Sequence, residues 1–312
     1  MVYKYREYPE WSWSQTRDKI FKECQRKYYY QYYASHNGWL SESSESSKSA
    51  YRLKQIANLY IVFGDALHQL MERILNDSLK SGAVSIDAKA LQQKLKNYLN
   101  RAFKDSRNVT QWMQAPKRSM MLHEMYYEGA LPQNRIDKVN ERIQQCVSNL
   151  RHCLSLRELT YNNVNIVEVE QLNSFVVVET PVFVKMDLLY HKPVDDRWII
   201  VDWKTGLEDE ENEDQLLLYA MYLNHKYQVP YEKTEIRLEY LLTGDCKSYR
   251  IKNAEVERIS ERVNGSAIQM KQLLEDKQIN KPFPEANFLA SPSKMKCNGC
   301  NFREMCVDKF IE

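Results

Sequence analysis

Glycine is scarce, with eight residues in a chain of 312. That shortage argues against glycine-rich phosphate loops and against a loop-dominated β fold. No run approaches the 18 or so apolar residues that a bilayer span requires. The first residues, Met-Val-Tyr-Lys-Tyr-Arg-Glu-Tyr, lack the apolar core of a secretory leader, so a soluble, cytoplasmic protein is expected. Excess charge is missing as well. Forty-four Lys and Arg face 42 Asp and Glu, for a net charge of +2. This balance excludes a protein that holds nucleic acid by bulk charge alone, while leaving room for a local basic groove.

What is present is more specific. At 43% hydrophobic and 28% charged, the composition is globular, and the length suits one elaborate domain or two small ones. A chain of this size buries a full core without disulfide staples. Tyrosine is abundant at 21, and eleven aromatic residues fall within the first 33 positions. Seven cysteines, an odd number with no export signal, make a poor disulfide framework.

Residues 1–38 are basic and aromatic. Helical spacing runs over 14–33, with Ser12 or Ser14 as its cap and Cys24 inside it. Six serines in 41–49 read as a flexible surface loop. Residues 51–79 carry a broad apolar helical face, from Leu59 through Phe63 and Leu67 to Leu75. Amphipathic helices follow over 86–103 and 136–156, with a shorter helical stretch around 120–128. After residue 161 the pattern turns to strands: 165–178, 181–191 with Pro181 at its head, and 198–204. An acidic run (Glu208, Asp209, Glu210, Glu211, Glu213, Asp214) leads into a helix over 215–227. A strand at 235–243, a short one near 248–252 and a helix over 254–277 complete the reading. This order predicts an α/β fold, a mixed sheet flanked by helices.

Cys297, Cys300 and Cys306 form a C-x2-C-x5-C cluster in the tail. The first pair chelates from one tight turn, and the third thiol comes from the same short segment. A tetrahedral zinc or a cubane iron–sulfur cluster needs a fourth ligand. Cys24 is the best candidate, whereas Cys146, Cys153 and Cys246 read as packing.

A second constellation is built on carboxylates. Residues 198–206 read Trp-Ile-Ile-Val-Asp-Trp-Lys-Thr-Gly, a buried strand ending in Asp202 and Lys204 on one side. Asp187 follows the apolar run 182–186, and a hairpin between the two strands brings Asp187 to Asp202. Two hard carboxylates in a polar notch are what Mg²⁺ or Mn²⁺ requires, and an ammonium nearby steadies a phosphate or an attacking water. Gly64, His68 and Glu72 share one helical face, and Gln215 and Tyr219 repeat the i, i+4 spacing. Glu168 and Glu170 offer a further carboxylate, although a solvated strand face is the expected setting for both.

In this order the motifs resemble the iron–sulfur members of the RecB-like branch of the PD-(D/E)xK nucleases. These include the CRISPR-associated RecB-like exonucleases and the AddB nuclease domain. Gly64–His68 looks like G-x-x-x-H, Asp187 like the motif-II acid and Asp202-Trp-Lys204-Thr-Gly206 like D-x-K-T-G. Gln215–Tyr219 looks like Q-x-x-x-Y, and Cys24 with the three tail cysteines looks like the cluster ligands. One departure is Val184, where the family often has glycine.

The resemblance implies a restriction-endonuclease-like core over 161–280, a mostly helical part over 1–160 and a cysteine-rich tail over 281–312. The tail would close a [4Fe-4S] lobe on Cys24, Cys297, Cys300 and Cys306. It implies phosphodiester hydrolysis with Mg²⁺ or Mn²⁺ held by His68, Asp187, Asp202 and the Trp203 carbonyl. Lys204 would orient water or offset charge, with Gln215 and Tyr219 supporting the site or touching DNA. Exonuclease action on single-stranded DNA or DNA ends is expected, in CRISPR adaptation, repair or antiviral defence. The N-terminal rings and cations have the chemistry of a single-strand track, or else pack the cluster lobe. Two other readings are a non-catalytic nucleic-acid scaffold with zinc or a cluster, and a nuclease subunit that works only with a helicase or integrase partner.

Overall fold

The change of hydrophobic period after residue 161 separates a helical half from a sheet in a computed structural model, which describes residues 5–82, 84–161, 163–208 and 211–309. The first half contains α1 (Gln15–Glu23), α2 (Gln25–Tyr29), a π-helical turn (Tyr30–Ala34), α3 (Glu45–Lys54), β1 (Ile56–Ala57) and α4 (Leu59–Ser81). It continues through α5 (Ala88–Ser106), α6 (Val109–Gln114), β2 (Met121–Leu122), α7 (His123–Glu128), α8 (Gln133–Leu150) and α9 (Leu154–Tyr161). Then come β3 (Asn165–Val169), β4 (Leu172–Val177), β5 (Thr180–Lys185), β6 (Leu188–Lys192) and β7 (Arg197–Lys204). After these follow α10 (Glu211–Tyr227), β8 (Thr234–Tyr240), β9 (Asp245–Arg250) and α11 (Asn253–Lys271). Two short strands, β10 (Leu274–Asp276) and β11 (Lys281–Pro282), precede α12 (Lys294–Asn298).

The main sheet runs β3-β6-β7-β8-β9. Only β7 and β8 are parallel, and α10 is their crossover. Alternating side chains feed two cores. Tyr190, Ile199 and Val201 pack with Phe63, Leu67, Leu95 and Ile143 of the helical half. Leu189, Ile200, Ile236 and Leu238 pack with Leu216, Ala220, Ile259 and Val263 of α10 and α11. Both faces are therefore covered, which fits the apolar run Trp198–Val201 of β7, whereas β8 alternates Ile236, Leu238 and Tyr240 with Glu235, Arg237 and Glu239. Strands β4 and β5 leave this sheet as a separate hairpin, whose β5 also bridges to Trp13.

Several expected elements are subdivided. Cys24 is extended (φ −166°, ψ 114°) and separates α1 from α2 instead of lying inside one helix. Ser14 is the cap that forms, accepting from the Arg17 amide. The serine-rich segment is only partly loop, because Ser44 accepts from the Ser47 amide and starts α3. The expected strand over 165–178 splits at Glu170, a left-handed residue with φ 51°. The one over 181–191 splits at Met186–Asp187, and α11 stops at Lys271 rather than 277. The acidic run at 208–214 falls partly outside the described residues, at 209 and 210. The expected aromatic track is largely interior: Trp13, Tyr28, Tyr30 and Tyr33 are buried.

The chain ends are tied to each other. The Trp13 amide donates to the Pro181 carbonyl, and its carbonyl accepts from Phe183, each at 2.8 Å. Asp18 is buried against Arg262 (2.8 Å) and Ser266 (2.5 Å). Arg26 pairs with Glu285 at 3.1 Å and with Asp308 at 2.9 Å.

Candidate active site

Four elements bring the carboxylate site together. Helix α4 begins where Asn58 accepts from the Ile61 amide, and its apolar stripe fixes which face turns to the sheet. Gly64 allows the close approach, since a Cβ there would lie 3.1 Å from Thr205 Oγ1 beyond β7. One turn later, His68 Nδ1 lies 2.9 Å from Glu170 Oε1 and 3.2 Å from Asp187 Oδ1. Ligand atoms of His68, Glu170 and Asp187 all fall within 4.8 Å of one another.

Asp187 sits at the break between β5 and β6. Leu188 pairs with Val201, so the next register step sets Asp187 beside Asp202. The convergence expected from a hairpin is present, but β6 makes it, because β5 pairs with β4. Asp187 Oδ2 accepts from the Trp203 amide at 2.7 Å, which pins the carboxylate to the end of β7.

Asp202 is 3% exposed and stands outside the His68 cluster. Its Oδ2 lies 2.7 Å from Lys204 Nζ. Lys204 also donates to Gln215 Oε1 at 3.0 Å. The Gln215 amide donates to the Tyr219 hydroxyl, which in turn donates to the Lys185 carbonyl at 2.6 Å. The i, i+4 pair on α10 thus ties the Lys204 ammonium to the end of β5. The cavity at this site is lined by His68, Glu170, Asp187, Gln215 and Tyr219, with Leu172 and Phe183 on an apolar wall.

Electrostatics follow from this crowding. Burial pushes Asp202 up to about 6, Lys204 opposes that rise and Asp187 adds to it. Burial alone would lower the His68 and Lys204 values, but Asp187 and Glu170 outweigh it for His68 and Asp202 does so for Lys204. Both side chains are therefore held in their charged forms. Burial, with Asp202 and Asp187, pushes the Tyr219 phenol well up, so it remains a donor. An imidazole nitrogen and two carboxylates whose ligand atoms lie within 4.8 Å of one another form a donor set suited to a divalent cation.

Glu168 and Glu170 depart from expectation. Neither is on a solvated face: they are 2% and 9% exposed. Glu168 accepts from Tyr222, Lys226 and Tyr227 at 2.8, 2.8 and 2.6 Å, a structural knot on α10. Glu170 binds His68 and lies 2.5 Å from Lys185 Nζ, so it belongs to the site. The signal available in the sequence was its alternation with Val167 and Val169, which does not reveal the turn at residue 170.

Cys24, Cys297, Cys300 and Cys306 line one cavity, between the α1–α2 break and the tail. The Phe302 amide donates to Cys300 Sγ at 3.4 Å. Burial raises the Cys300 thiol to about 11, and the nearby Cys24 and Cys306 add to the rise. No three of these sulfurs approach one another as closely as the His68 cluster does. A tetrahedral zinc would hold them about 3.8 Å apart. Of the other cysteines, Cys146 is buried and Cys153 half-buried, but Cys246 is exposed on β9 rather than packed.

Residues 12–307 match the family model of the PD-(D/E)XK nuclease superfamily. Among solved structures, a candidate exonuclease from Eubacterium rectale is 11% identical, with 84% of this chain and 79% of that chain covered and a TM-score of 0.41. SSO0001 is 16% identical, with 61% of this chain and 80% of that chain covered and a TM-score of 0.28. A search of curated proteins finds no match.

Proposed function

Because the chain belongs to the PD-(D/E)XK nuclease superfamily, we propose that it is a divalent-metal-dependent deoxyribonuclease that digests single-stranded DNA or DNA ends. The observation that carries this reading is the convergence of His68, Glu170 and Asp187 beside the Asp202–Lys204 pair. His68, Glu170 and Asp187 would hold Mg²⁺ or Mn²⁺, with Asp202 and the Trp203 carbonyl as further ligands from the adjoining register position. When bound, the ion polarises a phosphate oxygen and lowers the pKa of water.

The protein's own groups do the rest. Lys204 stays an ammonium, so it donates to the reacting phosphate and offsets the charge that develops there. Gln215 and Tyr219 hold that ammonium in place, so their part is positioning. Trp203 fixes the Asp187 carboxylate through its amide. Leu172 and Phe183 give the cavity an apolar wall on one side.

The tail cysteines with Cys24 would hold a [4Fe-4S] cluster. The single cavity lined by all four cysteines supports this reading. Its chemistry here is structural, since hydrolysis moves no electrons.

The test is metal-dependent digestion of end-labelled single- and double-stranded DNA. Asp202→Ala and Lys204→Ala should each lower cleavage by about 10²-fold or more while each variant still folds and melts cooperatively. Full activity in either variant rejects the site. Anaerobically purified protein should be brown and contain iron and sulfide; a colourless, zinc-bearing protein rejects the cluster. Activity seen only in a complex would turn the reading into a nuclease subunit working with a helicase- or integrase-type partner.

A further inference from the structure

Most of the N-terminal rings are interior, so an unpaired strand needs its bases supported elsewhere. One groove combines exposed aromatic surface with cations. It lies where the 38–41 turn, α3 and the 113–118 segment meet, lined by Trp39, Lys48, Tyr51, Arg52, Lys117 and Arg118. Trp39 is 43% exposed and its ring centroid lies 5.6 Å from that of Tyr51. Lys117 Nζ is 5.9 Å from the Tyr51 centroid. No carboxylate is among the described residues of this lining. Glu45 reaches in from α3 to pair with Lys48 at 2.9 Å, but Arg52, Lys117 and Arg118 have no ion-pair partner among the described residues.

Behind the groove two further cations pack inside the fold, where Arg17 is 4% exposed. Lys54 Nζ and the Arg17 guanidinium lie over the same Tyr32 ring, at 5.6 and 4.2 Å from its centroid. Burial lowers the Lys54 ammonium, and the like charges of Arg17 and Lys117 lower it further, which places the three side chains in one field. Arg17 in turn donates to the Ser12 carbonyl at 2.6 Å, and the next residues along, Ser14, Gln15 and Thr16, line the cavity that holds His68 and Asp187. Neighbouring cations without acids cost free energy unless an anion joins them. In a molecule of net charge +2 this is a local concentration rather than a general property.

We propose that this groove binds an unpaired nucleic-acid strand, with phosphates on Arg52, Lys117 and Arg118 and a base stacked on Trp39. The rings select unpaired bases, because a duplex keeps its base faces stacked and offers only phosphates. That the bound strand is a substrate rests on the nuclease reading, but binding in the groove does not.

The full chain in EDTA is titrated by fluorescence anisotropy with labelled oligo(dT), oligo(U) and a blunt duplex, each about 20 nucleotides, above the roughly 4–16 that one such site covers. Trp39→Ala should weaken oligo(dT) binding roughly 5- to 100-fold. The double variant Lys117→Glu, Arg118→Glu should weaken it at least tenfold and reduce the salt slope by about 1.4, two phosphates' worth for a single strand. Mn²⁺-dependent hydrolysis of bis-p-nitrophenyl phosphate, too small to reach the groove, should be unchanged in both. Loss on both oligomers marks a shared single-strand site; loss on one alone names the strand it prefers. Unchanged affinity and slope in the variants, or wild-type binding to the duplex as tight as to oligo(dT), overturns the proposal. A wild type that binds strands through these residues yet hydrolyses nothing leaves the groove standing and rejects the nuclease reading instead.

Discussion

Glu170 shows how one backbone angle decides a side chain's chemistry. Read as part of one alternating strand, it belongs to a solvated face. With φ at 51° it ends β3 and directs its carboxylate to His68 and Lys185. A non-glycine residue in this left-handed region costs about 1–2 kcal/mol, a cost commonly found at functional sites. The site therefore holds a third carboxylate beside Asp187 and Asp202. Glu170→Gln keeps the shape and removes the charge. A Mn²⁺ titration of cleavage should shift to higher metal concentration, with activity lower by roughly 10- to 100-fold, while the melt stays near wild type. An unmoved metal dependence would show that Glu170 only orients its neighbours.

At the scale of elements, helix α9 is held to the sheet by charge. Glu158 accepts from Arg237 of β8 at 2.7 Å, from Tyr190 of β6, and from Lys192 at 3.1 Å. Burial alone would raise this carboxyl, but bonds from Arg237 and Tyr190 outweigh it and hold it below the usual range. A depressed folded pKa stabilises above the unfolded value of about 4.3, and that stability disappears as pH falls through the folded value. Glu158→Gln should cost about 3 kcal/mol at neutral pH, near the low end for a broken buried pair because Glu235 still faces Arg237. In urea unfolding the gap between the two proteins should narrow as pH falls below the unfolded value of about 4.3; a constant gap at all pH values would mean packing, not charge, carries the effect. The same scale explains what could be read beforehand. Helices α4, α5 and α10 were legible because their apolar spacing is strong, and the Asp187–Asp202 convergence followed from pairing the two strands as a hairpin. The β4–β5 hairpin was not legible, because its turn uses Val178 and Glu179 at φ 44° and 60° where Asn-Gly or Asp-Gly would give the signal. The break at Cys24 was hidden for a related reason, since nothing in Glu-Cys-Gln marks the end of a helix.

Over the whole molecule, the question is what closes the chain on itself. Two sets of contacts join the N-terminal segment to the second half of the chain. One set needs no metal: the Trp13 bridge to β5, its indole on Ser266 at 3.2 Å, and Asp18 against Arg262 and Ser266. These contacts hold α1 to α11 and set its start at the catalytic cavity. The other set is the cysteine lobe, where Arg26 pairs with Glu285 and Asp308, and Cys24 faces Cys297, Cys300 and Cys306. Past Phe288 the tail has few apolar anchors: Phe302 is buried, while Leu289, Met295 and Val307 are exposed. A segment with so little buried surface depends on its ligands for order. Cys24→Ser should therefore remove the visible absorbance and release the tail selectively. Hydrogen exchange over 290–309 should rise to near the unfolded rate, with α1, α11 and the five strands of the main sheet still protected. Metal-dependent cleavage should persist in that variant, since the tail contributes no residue to the cavity wall. Loss of protection in α1 together with the tail would show instead that the lobe holds the entire N-terminal segment, and with it the mouth of the site.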